Sequence, residues 1–137
     1  MTANEILNIM YSLRAYCLTL DTTLRWYMDD VNEVITDDTC GVVKTSNAGI
    51  EDGHIRNDFI DIAILAKTKA DSEAKFAKVF AAIKTSTYIP VKDYVGETMA
   101  VSFNLLIKRT NWDKVGNTDG YYQKNITLEY EIIETGG

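Results

Sequence analysis

The chain has 137 residues, 46% of them hydrophobic and 25% charged, which is enough apolar side chain for one domain with its own core, without disulfides or metal. Fourteen basic against twenty acidic residues leave a net charge of -6, and a surface of that sign repels phosphates, so direct sequence-specific nucleic-acid binding is not expected. No run of about eighteen apolar residues is present, and the opening MTANEILNIM lacks a basic stretch followed by an apolar block, so neither membrane insertion nor export by a signal peptide is expected.

Thr2 and Glu5 stand three apart as a capping box does, and behind them Ile6, Ile9, Met10, Leu13, Tyr16, Cys17 and Leu20 recur at spacings of three and four. This predicts an amphipathic first helix with Cys17 as a small buried hydrophobe. From Asp21 to Ile35 the apolar positions allow a helix, while Thr22, Thr23, Trp26 and Tyr27 equally suit a strand. The polar stretch from Thr36 to Asn57 reads as loops around one short strand at Val42-Val43, with Cys40 exposed beside Gly41.

Ile60, Ile62 and Ile64 alternate in DFIDIAIL and predict a half-buried strand. Asp71 is placed to cap a second helix whose stripe is Phe76, Val79, Phe80 and Ile83. Tyr88-Ile89-Pro90-Val91 is short, and its proline has no amide for a ladder, so it is an edge strand or a connector. Met99 to Ile107 and Ile126 to Ile132 then alternate as the two arms of a long hairpin. The segment Asn111–Gly120 between them, with Trp112 and two glycines, reads as a long loop able to project from the body. The expected architecture is a single α+β domain over residues 1–137: a small, mostly antiparallel sheet of about four strands packed against two or three helices.

His54 is the sole histidine and lies in the polar run GHIRND, which fits a surface residue better than a catalytic or metal-binding one. Walker, G-x-G-x-x-G, G-x-S-x-G and HExxH motifs are all missing, so the commoner nucleotide-binding, hydrolase and metalloprotease readings lapse. The acids Asp29, Asp30, Glu33, Asp37 and Asp38 fit a solvated or partner-facing surface better than a cation site. No catalytic residue, metal or cofactor is therefore assigned, and an enzyme is not expected. Trp26, Trp112, Tyr121 and Tyr122 are the aromatics expected nearest the surface, where such side chains serve interfaces or staple a hairpin base.

Three segments, NEILNIMYSL, DFIDIAILAKTKADSEAKFAKVFAAI and VSFNLLIKRTNWDKVGNTDGYYQKNITLEYEI, are similar in layout to the tail terminator family of tailed bacteriophages, also described as minor capsid or head–tail joining proteins. The resemblance implies a structural virion protein, assembled in the host cytoplasm. Copies would form a homo-oligomeric, hexameric ring that caps the tail tube and joins it to the head connector or completion protein. An acidic subunit suits such a ring, because a basic lumen would hold passing DNA. The family has no short interface motif, so regions carry over as protein-contact candidates: the Asn111–Gly120 connection with Trp112, Asp113, Lys114, Asn117, Asp119 and the adjoining Tyr121, and the loop around Gly49–Asn57 with His54 and Arg56. The alternative is a small monomeric binding module for a host protein or a small ligand.

Overall fold

The computed structural model describes residues 3–28, 35–44, 50–51, 54–55, 58–94, 96, 103–118 and 120–134. Helix α1 spans Ala3–Leu20 and α2 spans Lys69–Ala82. Strands β1 (Arg25–Met28), β2 (Thr39–Lys44), β5 (Asp58–Ala66), β6 (Tyr88–Pro90), β7 (Phe103–Thr118) and β8 (Tyr121–Glu134) form one sheet in the order β1-β2-β5-β8-β7-β6. β3 (Ile50–Glu51) and β4 (His54–Ile55) pair separately as a two-stranded ribbon.

Alternation along the long strands decides which face the helices cover. Ile60, Ile62 and Ile64 of β5 sit in register with Leu128, Ile126 and Lys124 of β8, and Tyr130 of β8 sits opposite Ile107 of β7. Except for Lys124, these residues are buried in one cluster with Ile9, Met10, Leu13 and Cys17 of α1 and Phe76 and Val79 of α2. Each such side chain contributes about 1.5–3 kcal/mol by leaving water. An α1 of 18 residues is about 27 Å long, comparable to the roughly 24 Å width of six paired strands, and it touches both β1 and β6 at opposite edges.

Two buried polar side chains on α1 fasten the chain that follows β6. Asn8 Oδ1 accepts from the Tyr94 amide at 2.7 Å, and Ser12 Oγ accepts from the Lys92 amide at 3.1 Å. Both are nearly fully buried, so each bond satisfies a backbone group that water would not reach.

The sheet corrects the expected architecture. It has six strands and not about four, and its edge pair β1 and β2 is parallel, while two helices are found among the described residues. The short strands do not alternate: β2 contains the strand expected at Val42-Val43 and is longer than it, while β1 resolves the segment that suits helix and strand equally. β1 is RWYM, buried at three of four positions, and β2 is TCGVVK, buried at its four central ones. The segment from Asp21 to Ile35 thus contains a strand at Arg25–Met28, and Trp26, expected near the surface, is 1% exposed. Cys40, expected to be exposed, is fully buried opposite Leu65, and burial pushes its thiol up to about 11. Cys17 is buried as expected, and burial likewise raises its thiol.

Helix α2 begins earlier than the Asp71 cap implied. Thr68 is its N-cap, with Oγ1 accepting from the Asp71 amide at 3.2 Å, and Asp71 lies in the first turn, where its charge suits the helix dipole. Thr2 lies outside the described residues.

Candidate assembly surface

The two edges of the sheet are built differently. At the β1 edge, Asp21 Oδ1 accepts from the Thr23 amide at 2.9 Å and from the Thr23 hydroxyl, and Lys75 and Lys78 of α2 lie 3.5 Å from Oδ2. Burial of Asp21 opposes its charge, but these hydrogen bonds and lysines outweigh it and hold the carboxyl below its usual range. Trp26 Nε1 donates to the Asp21 carbonyl at 3.2 Å, and its ring lies over Gly41 of β2, where a Cβ would come within 2.3 Å of it. Glycine is required at that position because the indole occupies the space of a side chain.

At the other edge, β6 covers β7 only from Asn104 to Leu106, and Ile107 adds two backbone hydrogen bonds with Ser86 and Thr87. From Lys108 to Thr118, β7 has a strand neighbour on one side alone among the described residues, namely β8. Among the described residues no strand takes the backbone donors and acceptors on the other side of this stretch. Register shifts leave Lys108 and Val115 as extra residues, and such bulges twist an edge and restrict what can pair with it.

Aromatic side chains gather beside this edge. Tyr88 is 58% exposed and Tyr94 46%, and a groove of about 220 Å³ runs between β6 and α1, lined by Ser12, Tyr16, Tyr88, Pro90 and Tyr94 among others. Tyr11 packs on Tyr94 with ring centroids 5.9 Å apart. Tyrosines with one buried side and one wet side are the composition of protein interfaces.

The residues named from sequence fall in different places. Trp112 and Asp113 are exposed on β7, and Lys114 and Asn117 lie on the same strand. The Asn111–Gly120 segment is therefore not a projecting loop. β7 continues to Thr118, which pairs with Tyr121, and Gly120 stands just before β8 at a φ of 82°. The alternation was lost to sight because the bulge at Lys108 changes its parity: Leu105 and Ile107 face the helices before it, and Thr110 and Trp112 after it. Trp112 packs edge-on against Phe76 of α2, with centroids 5.5 Å apart. Replacing this segment by a two-residue turn would strip β8 of its β7 partner from Tyr121 to Thr127.

Tyr121 is engaged within the domain. Its hydroxyl donates to the Asp37 carbonyl at 2.8 Å, and Lys67 Nζ sits 4.0 Å from its ring centroid. His54 is on β4, in the separate ribbon, while Arg56 and Asp119 lie outside the described residues. Tyr16, Tyr88 and Tyr94 were missed by sequence reasoning, although the edge assignment of Tyr88-Ile89-Pro90 held the signal: a strand that ends its sheet offers its side chains to solvent. Among the described residues no group of three or more His, Cys, Asp or Glu could hold a metal ion, and no helix is long and apolar enough to cross a membrane.

No protein-family model matches the chain, and no curated protein matches it. Among solved structures, one that carries no functional name aligns over 97% of this chain and 97% of its own, at 9% identity and a TM-score of 0.62. Another, from the virion of a native gene transfer agent particle, aligns over 93% of this chain and 90% of its own, at 15% identity and a TM-score of 0.43. The first likeness is one of fold alone: this order of strands and helices occurs in another protein that shares almost none of its residues.

Proposed function

We propose that the chain is a structural subunit of a bacteriophage or phage-tail-like particle, whose copies close into a ring through the β6–β7 edge. The observation that carries this reading is the stretch of β7 from Lys108 to Thr118, which has no second strand neighbour among the described residues, on the edge whose other strand, β6, exposes Tyr88. An edge of one copy that meets a different surface of the next is a heterologous contact, and heterologous contacts generate rings when the rotation closes. The two bulges fit a designated partner better than indiscriminate pairing.

The finer reading follows the layout resemblance: a hexameric ring that caps the tail tube and meets the head connector, located in the virion after assembly in the host cytoplasm. In it Trp112, Asp113, Lys114 and Asn117 present the β7 edge to the neighbouring copy. No chemistry is required of such a subunit, so neither catalytic residues nor cofactors are assigned.

Mass in solution, measured across a wide range of protein concentration and paired with electron microscopy, tests this. A discrete closed oligomer is expected, and Tyr88→Arg should diminish it without lowering the melting temperature. A monomer at every concentration would contradict the ring and favour the small binding module.

A further inference from the structure

A second concavity, of about 230 Å³, lies between the start of α2 and the closed end of the hairpin. Lys69, Ser72 and Glu73 line it from the helix, Gly116 from β7, and Gln123 and Lys124 from β8. Most of its wall is apolar. Gly116 stands at a φ of 93° beside the second bulge, and a Cβ there would meet nothing within 4 Å, so the strand leaves the space open.

Ser72 is the feature that packing does not explain. It is 1% exposed, yet its Oγ has no hydrogen-bond partner. A buried hydroxyl without a partner is costly, and native structures keep few of them. Helix capping does not use it, because Thr68 already takes the Asp71 amide through its side chain and the Ser72 amide through its carbonyl. Lys124 Nζ sits 4.9 Å from the Phe76 ring centroid and 5.8 Å from that of Trp112, and no carboxylate of a described residue lies within ion-pair distance of Lys124 or Lys69. A protein of net charge -6 thus keeps, around one hollow at the positive end of a helix, an orphaned hydroxyl and two ammonium groups that no carboxylate of a described residue neutralises.

We infer that this hollow binds a carboxylate carried on a short apolar stem. The lysines and the helix end supply positive charge, the Ser72 hydroxyl donates to one carboxylate oxygen, and the apolar wall takes the stem. Glu73 at the lining opposes a more highly charged group such as phosphate. Gly116 is shared with the proposed assembly edge, but Ser72 and Lys124 lie on α2 and β8, so binding can be read on the dilute chain without ring assembly. The carboxylate could come from a free small acid or from a glutamate side chain of another polypeptide.

Titration of the isotope-labelled full chain with sodium propionate at constant ionic strength, followed by NMR, tests the inference, with n-propanol and inorganic phosphate as controls. Saturable shifts at the Ser72 and Lys124 amides are expected, weakened about tenfold by Ser72→Ala and by Lys124→Gln. Ser72→Ala should melt no lower than the native chain, since it removes an unpartnered hydroxyl and improves helix propensity. A blocked tripeptide with a central glutamate forms the second arm: tighter binding than propionate assigns the carboxylate to a polypeptide, and equal binding assigns it to a free acid. Absence of saturation, equal response to propanol, phosphate binding as tightly as propionate, unchanged affinity in both variants, or a lowered melting point for Ser72→Ala would each overturn it.

Discussion

The β1 edge of the sheet is short and buries its aromatic side chains, whereas the β6–β7 edge is long and exposes its own. β1 buries Trp26, Tyr27 and Met28, and the turn before it is tied to α2 through Asp21. The opposite edge exposes Tyr88 and Trp112 and leaves most of β7 without a second strand neighbour among the described residues. An edge that folding requires is packed and paired. The β6–β7 edge keeps aromatic groups in water, as contact surfaces do, while its bulges limit indiscriminate strand pairing.

Substitutions should separate the two edges by what they cost. The largest effect is expected of Trp26→Ala, which empties a fully buried site and removes the indole hydrogen bond to Asp21; denaturant unfolding should show a loss of about 3–5 kcal/mol. Gly41→Ala comes next. Its methyl would press on the Trp26 ring, which cannot move without disturbing Asp21, so a loss of about 1–3 kcal/mol is expected in the same measurement.

The reasons these residues escaped a reading of the sequence are physical. α1, β5 and α2 announced themselves because each carries a periodic apolar face, and the structure places Ile9, Leu13, Cys17, Ile60, Ile62, Phe76 and Val79 in one core. β1 carries no such period, because a short strand can be buried on both sides: Trp26 lies under the helices, and Tyr27 packs on the opposite face with Cys40 and Val42. The hairpin was legible up to Ile107, and its continuation was hidden by one extra residue. The pocket gave no signal, since Ser72, Gln123 and Lys124 come together only when β8 pairs beside α2.

Asp21 adds a test by pH at the packed edge. Its carboxyl pKa is lowered in the folded chain, so its contribution is fully present above the unfolded value of about 3.9 and is lost as pH falls through the folded value. Asp21→Asn should therefore lower the melting temperature at neutral pH, and the difference should close in acid. A gap that stays constant in acid would mean that the charge facing Lys75 and Lys78 contributes nothing. The smallest stability effect belongs to the β6–β7 edge: Trp112→Ala loses the edge-on contact with Phe76 and that with the nearby Lys124 ammonium from a side chain already 55% exposed, about 1 kcal/mol in denaturant unfolding. A loss as large as that of Trp26→Ala would erase the distinction between the edges.

Amide hydrogen exchange in β7, measured in dilute and in concentrated protein, tests most directly whether this edge is the assembly surface. From Lys108 to Thr118, the amides not bonded to β8 should exchange quickly when the chain is dilute and slow sharply when it is concentrated, while those of β5 stay unchanged. Exchange in this stretch that is the same at both concentrations, with a larger particle nevertheless forming, would show that the copies meet elsewhere.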